Sequence, residues 1–160
     1  MKQDGKVWAF YGNGQGKSSA ALGAAVDAAA NGSNAVIIQF LKSQYSEEYI
    51  KRCEPELKIF RTARHNRSFS ELDSDEQKEE SGNIRNGMLL ARKFLTTDDC
   101  GMLVLDEVLG LIKEGIIDCQ ELIDILLKKN DDQTLIITGT ILPDEIRDYC
   151  DNIISFTREK

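Results

Sequence analysis

The sequence of 160 residues is poor in the groups that most enzymes use for proton transfer and metal binding. It holds a single histidine, His65. One histidine excludes a histidine-rich metal centre, and its isolation leaves Ser-His-Asp catalysis without support. A lone histidine is more often a surface or packing residue. The four cysteines, Cys53, Cys100, Cys119 and Cys150, contain no C-x-x-C pair. Their scatter fits neither a zinc site nor a disulfide framework, so they read as reduced, half-buried packing residues. No apolar run approaches the ~18 residues of a membrane span. The opening MKQDGK runs straight into an apolar stretch, so no signal peptide is expected. Basic charge is in deficit: the net charge is −7. That argues against a general nucleic-acid or anionic-membrane surface. A cytoplasmic protein is expected. Linkers, repeats and low-complexity segments are also missing, so residues 1–160 are expected to form one domain with a sizeable core.

What is present centres on Lys6 to Ala30, KVWAFYGNGQGKSSAALGAAVDAAA. Val7 to Tyr11 is long enough for a buried strand. Gly12, Gly14 and Gly16 follow at alternate positions, then Lys17, Ser18 and Ser19, and an alanine-rich helix from Ser18 to Ala30. Strand, glycine-rich turn, Gly-Lys-Ser and helix together are the context of a phosphate-binding loop. Glycines let the turn point its N–H groups inward at an anion. The helix adds its unpaired first-turn N–H groups and the positive end of its dipole. In such a loop Lys17 reaches the β/γ-phosphate oxygens and the Ser18 hydroxyl ligates Mg²⁺. Tyr11 departs from the general pattern, which has glycine there. A glycine-rich surface turn before an ordinary helix is the plainer alternative.

The rest of the chain alternates strand and helix signals. Asn31-Gly32 stops the first helix. Ala35–Leu41 reads as a buried parallel strand, Glu47–Arg52 as a short helix and Leu57–Thr62 as a strand nearer an edge. Ala63–Asp73 has no clear period. Ser74 and Gln77 have capping-box spacing before a long helix to about Leu95, which Gly82 and Gly87 would weaken. Met102–Leu105 is the next strand, and Asp118 and Glu121 frame a helix over Cys119–Lys129. Thr134–Thr138 and Ile153–Phe156 are strands, and Pro143 suits the first turn of a short helix between them. The pattern predicts a three-layer α/β domain with a mostly parallel central sheet.

A second chemical element is MLVLDE, Met102–Glu107. A strand ending in acids places them at the sheet edge where open α/β sheets bind ligands. Asp106 is placed to hold Mg²⁺ directly or through water, and Glu107 to ligate it or to orient a nucleophile. Such a run alone can mark only a strand end. Paired with Gly-Lys-Ser upstream, it points to binding of a Mg-nucleotide. Lys58, Arg61, Arg64, His65 and Arg67 form a basic cluster in this acidic chain. It reads either as attraction for the phosphates of a ligand such as ATP or as a solvated loop.

Tyr11–Ser19 (YGNGQGKSS), Gln39–Lys42 (QFLK), Leu103–Val108 (LVLDEV) and Leu135–Gly139 (LIITG) occur in an order and spacing that resemble the P-loop ATP:corrinoid adenosyltransferases. Ala20–Gly23 and Asp144–Asn152 (DEIRDYCDN) fit as well. The resemblance spans nearly the whole chain and accounts for Tyr11, since that family keeps G-N-G-x-G-K-[ST] without the earlier glycine. It implies a P-loop NTPase (RecA-like) fold. It also implies transfer of the 5′-deoxyadenosyl group of ATP to Co(I) of a corrinoid, cob(I)alamin or cob(I)yrinic acid a,c-diamide, with release of triphosphate. On this resemblance Gly12, Asn13, Gly14, Gln15, Gly16, Lys17, Ser18 and Ser19 hold the triphosphate. Lys17 and Glu107 are the catalytic residues, and Ser18, Asp106 and Glu107 carry Mg²⁺ or Mn²⁺. A homodimer and a flavoprotein reductant are implied partners.

The chain departs from the family around the second substrate. The family's Phe-Thr-Trp on the corrinoid side is best matched by Phe69-Ser70-Glu71, which assigns Phe69 and Glu71 to the corrinoid. Thr138-Gly139-Thr140 stands where Thr-Gly-Arg is usual. The resemblance implies a shortened member, without the usual N-terminal extension and ending at Lys160. Two other readings remain open from the residues: a small P-loop ATPase or kinase, with Glu107 positioning water, and a non-catalytic ATP or corrinoid carrier.

Overall fold

The computed structural model describes residues 5–42 and 45–160. Residues 1–4 of the opening segment, and residues 43–44 in the polar stretch after Lys42, lie outside the described residues. Among the described residues six strands form one sheet: β1 Val7–Tyr11, β2 Ala35–Gln39, β3 Leu57–Arg61, β4 Met102–Asp106, β5 Thr134–Gly139 and β6 Asn152–Ser155. Their order is β3-β2-β4-β5-β1-β6 and every pairing is parallel. The helices are α1 Lys17–Ala30, α2 Glu47–Cys53, α3 Ser74–Thr96, α4 Val108–Lys113, α5 Cys119–Leu126 and α6 Asp144–Arg147.

Period-two alternation along buried strands produces two cores, one on each sheet face. Val36 and Ile38 of β2 join Leu103 and Leu105 of β4 on the face covered by α3, α4, α5 and α6. Ala35 and Ile37 join Val104 and Ile136 on the face covered by α1 and α2. The alanines of α1 explain its close seat: Ala21 and Ala25 are buried against the sheet. This is the expected three-layer α/β architecture, consistent with a RecA-like P-loop fold.

The differences from expectation are local. The capping box of α3 lies one residue earlier, between Asp73 and Glu76, because Asp73 is as good an N-cap as Ser74 and Glu76 reaches back to its amide. The two glycines do not interrupt α3. Gly82 is exposed, whereas Gly87 is a close approach: a Cβ there would lie 2.6 Å from Thr62 Cγ2 and 2.9 Å from Phe40 Cε1. Helix α5 ends at Leu126, short of Lys129: the amides of Lys128 and Lys129 bond three residues back, to Ile125 O and Leu126 O, so the last turn tightens, and the Lys129 ammonium binds the carbonyls of Gly5, Asn130 and Gln133. Pro143 is the N-cap of α6 and not its first turn. Cys100 is fully buried, and burial pushes its thiol up to about 11.

Candidate active site

The site lies at the carboxyl edge of the sheet, where β1, β2, β4 and β5 end. Register aligns these ends: Gln39 is level with Asp106, and Phe10 with Thr138. The phosphate loop leaves β1 and enters α1 through Gly16, whose φ of 101° lies in the left-handed region that glycine favours. No side chain caps α1. Its first-turn amides are therefore left for another acceptor. Gly12 N donates to Thr140 O at 3.0 Å and Gly14 N to Phe156 O at 2.8 Å, which fixes the base of the loop against β5 and the segment after β6. Lys17 Nζ donates to Gly12 O at 2.8 Å and Gly14 O at 2.7 Å. A positive charge is thereby held inside the curl. Asn13 to Ser19 line a cavity of 420 Å³.

Behind the loop stands Asp106, only 2% exposed. Its Oδ1 accepts hydrogen bonds from Ser18 Oγ at 2.8 Å and Thr138 Oγ1 at 2.7 Å, and its Oδ2 from Gln39 Nε2 at 3.3 Å. Three donors compensate a carboxylate that would be costly to bury alone. The Thr138 hydroxyl in turn accepts from Glu107 N at 2.8 Å, so β5 sets the chain direction just past β4. Glu107 takes φ 62° there, a left-handed conformation that a non-glycine residue holds only when its surroundings enforce it. Tyr45 packs nearby. Burial first, and then the Asp106 charge, push its phenol up to about 12, so it stays a neutral O–H.

Glu107 opens onto a second cavity of 540 Å³, lined also by Leu41, Lys42 and His65 to Ser68. Lys42 Nζ lies 3.3 Å from Glu107 Oε2. The basic cluster is partly compensated. Arg61 pairs with Glu47 and donates to Tyr45 O, and Arg67 pairs with Glu76 at 2.6 Å. The buried Glu80 carboxylate accepts from the backbone amides of Arg64 and His65, tying this loop to α3. Of the five basic residues, His65 and Arg67 reach the second cavity. Phe69 and Glu71 do not line it; they form the 3-10 turn just beyond its wall. The Glu71 carboxylate accepts from Ser68 N at 3.1 Å, closing a capping box.

The structure thus joins the loop residues Gly12 to Ser19 with Asp106, and Asp106 with Glu107. It adds Gln39, Lys42 and Thr138, whose roles the sequence reading did not assign. Gln39 and Lys42 belong to the QFLK segment and Thr138 to LIITG, so position at a strand end was the available signal. Among the described residues no cluster of three His, Cys, Asp or Glu side chains converges to hold a metal. The available donors are one hydroxyl and two carboxylates, hard oxygen ligands that suit a cation completed by phosphate and water.

A phosphate loop after β1 whose serine is bound to the acid ending β4, one strand away across β5, with α1 opening from the loop, defines a P-loop nucleotide-binding protein. The family model for ATP:corrinoid adenosyltransferase BtuR/CobO/CobP matches residues 3–160. A corrinoid adenosyltransferase of Escherichia coli (strain K12) is 26% identical over 152 residues, covering 93% of this chain and 74% of that protein. The corrinoid adenosyltransferase CobA of Salmonella typhimurium (strain LT2) is 26% identical over 156 residues, covering 96% of this chain and 76% of that protein. The chain belongs to the ATP:corrinoid adenosyltransferase family and is a transferase with ATP as co-substrate.

Proposed function

We propose that the two cavities receive the two substrates and that transfer takes place where they meet, at Glu107 and Lys42. The triphosphate of ATP is held by Gly12, Asn13, Gly14, Gln15, Gly16, Lys17, Ser18 and Ser19. The corrinoid presents its cobalt from the cavity walled by Leu41 and the His65–Ser68 loop. Phe69 lies just beyond that cavity's wall and is assigned to the part of the ring that extends past it, with Glu71 fixing the turn that carries it. Ser18, Asp106 and Glu107 are the residues that would hold Mg²⁺, or Mn²⁺ in its place. The ion would supply positive charge to the leaving triphosphate.

The chemistry asks little of acids and bases. Co(I) donates an electron pair to the 5′-carbon of ATP, a cobalt–carbon bond forms, and the carbon–oxygen bond breaks with its pair left on triphosphate. No proton moves, which suits a site without a catalytic histidine. The protein's contribution is alignment and stabilisation of a highly charged leaving group. Lys17 supplies fixed charge inside the loop. Asp106, held by three donors, keeps Ser18 oriented, and Glu107 is set at the junction by Thr138. The observation that carries the reading is that junction: one residue links the phosphate-loop network to the wall of a separate cavity. A homodimer, a flavoprotein reductant and a cytoplasmic setting complete the proposal, on the family likeness and the acidic composition.

Phosphorus NMR of the products tests the reading. With Mg-ATP and chemically reduced cobalamin under anaerobic conditions, the phosphate product should be inorganic triphosphate. ADP and orthophosphate would instead make the protein an ATPase, and unchanged ATP a carrier.

A further inference from the structure

We infer that Lys42 is a catalytic residue of the transfer: its ammonium leaves Glu107 and takes the oxygen of triphosphate from which the 5′-carbon departs. The inference rests on the two-cavity reading above. Among the described residues, Lys42 is the one side chain that lines both the phosphate-loop cavity and the second cavity. Carbon is attacked from the second and triphosphate departs into the first, so the breaking carbon–oxygen bond lies at their boundary. Negative charge appears on that oxygen as the bond breaks. Lys17 is held within the loop by two carbonyls, whereas the ammonium of Lys42 stands at the boundary itself.

The local backbone is built for this placement. Among the described residues, Leu41 and Glu107 are the non-glycine residues with positive φ, 59° and 62°. They lie at the ends of adjacent strands, β2 and β4, and they flank the same point. A Cβ on Gly110 would lie 2.9 Å from Leu41 Cδ1 and 3.0 Å from Glu107 Oε1. Two left-handed residues meeting over one glycine are the kind of enforced geometry that gathers at functional sites. The turn at Leu41 delivers Lys42 to the boundary, and the turn at Glu107 delivers its partner. The Lys42 side chain is 47% exposed and that of Glu107 15%, so the lysine is the movable member of the pair. Solvent reaches the pair from the lysine side and lowers its worth. Exchanging it for a triphosphate oxygen therefore costs little and frees Glu107 for the cation.

The test compares Lys42→Met, which keeps the length and removes the charge, with Lys42→Arg. Affinity for inorganic triphosphate is measured by calorimetry without metal or corrinoid, and single-turnover transfer is measured with Mg-ATP and pre-formed cob(I)alamin. For Lys42→Met the expected result is about tenfold weaker triphosphate binding, the usual scale of one charge-assisted contact. The transfer rate should fall further, by about 30- to 100-fold, with the corrinoid KM unchanged, because the contact strengthens as charge develops. Lys42→Arg should recover most of the triphosphate affinity. Adding Glu107→Gln to Lys42→Met separates this from mere neutralisation of Glu107. Metal-free triphosphate affinity should remain below wild type in the double variant, and full recovery would overturn the inference. So would a Lys42→Met protein whose triphosphate affinity and transfer rate stay within about twofold of wild type. Wild-type protein that releases no triphosphate from ATP would instead overturn the transferase reading itself, and the inference with it.

Discussion

Thr138→Val removes one hydroxyl and nearly nothing else. Thr138 is fully buried, and its hydroxyl donates to Asp106 Oδ1 and accepts from Glu107 N. Valine keeps the volume and the β-branch, so no cavity term arises. A hydrogen bond to a buried carboxylate contributes about 1.5–3 kcal/mol, and a buried amide left without its acceptor costs about 1–3 kcal/mol. Asp106 retains Ser18 and Gln39 as donors, which limits the first loss. The expected destabilisation is about 2–4 kcal/mol. For a chain of this length that lowers Tm by about 5–15 °C. Urea unfolding should show the loss as a lower midpoint at unchanged slope. Thr138→Ser keeps the oxygen and loses one methyl group, about 1 kcal/mol. Transfer activity at a temperature where both variants are folded should fall in the valine variant alone, because Glu107 has lost the tether that holds its left-handed turn. A valine variant within about 0.5 kcal/mol of wild type, or a serine variant equally damaged, would refute the network.

Lys17→Ala should weaken Mg-ATP binding by about 10- to 100-fold in calorimetry with an unchanged circular-dichroism spectrum, since a charge-assisted contact is lost and little packing. Glu107→Gln should raise the Mg²⁺ midpoint of the reaction more than it weakens metal-free nucleotide binding; equal midpoints would return Glu107 to a structural role. Gly110→Ala places a methyl group against Leu41 Cδ1 and Glu107 Oε1. Both are movable side-chain ends, so activity should drop while stability stays within about 1 kcal/mol of wild type by denaturant titration. The Glu71 carboxyl is held below its usual range by hydrogen bonds from Ser68, the hydroxyl first and then the amide. A depressed carboxylate pKa stabilises the folded turn above the ordinary carboxylate value and loses that contribution as pH falls through the depressed one. Protection of the Ser68 to Leu72 amides, taken relative to the intrinsic exchange rate at each pH, should therefore fall on acidification across that window, and Glu71→Gln should abolish the dependence.

The sequence made the segment from β1 to α1 readable because strand, glycine turn and helix are contiguous and each follows a short-range rule. Local chemistry also placed the Asp118–Glu121 capping box and the edge position of β3. Helix α4 escaped because the apolar residues of β4 continue into Val108–Lys113, and the break between them is a left-handed Glu107 that no residue preference announces. The contacts around Asp106 escaped for a different reason. Gln39, Asp106 and Thr138 lie on β2, β4 and β5, and β2 and β4 are neighbours only because the sheet order departs from chain order. Spacing carries no trace of that. The basic cluster looked concentrated because its partners lie on other elements: Glu47 pairs with Arg61 and Glu76 with Arg67, while Glu80 takes the backbone amides of Arg64 and His65.

The central claim is that ATP and a corrinoid meet at the Glu107 junction and exchange an adenosyl group for triphosphate. The most direct measurement follows the Co(I) absorbance of chemically reduced cobalamin, mixed anaerobically with the protein and Mg-ATP, while triphosphate is quantified in the same sample. The account predicts that the Co(I) band disappears as a light-sensitive alkylcobalamin spectrum rises, with one triphosphate released for each cobalt consumed. A Co(I) spectrum that persists while ATP is hydrolysed to ADP and orthophosphate would contradict it.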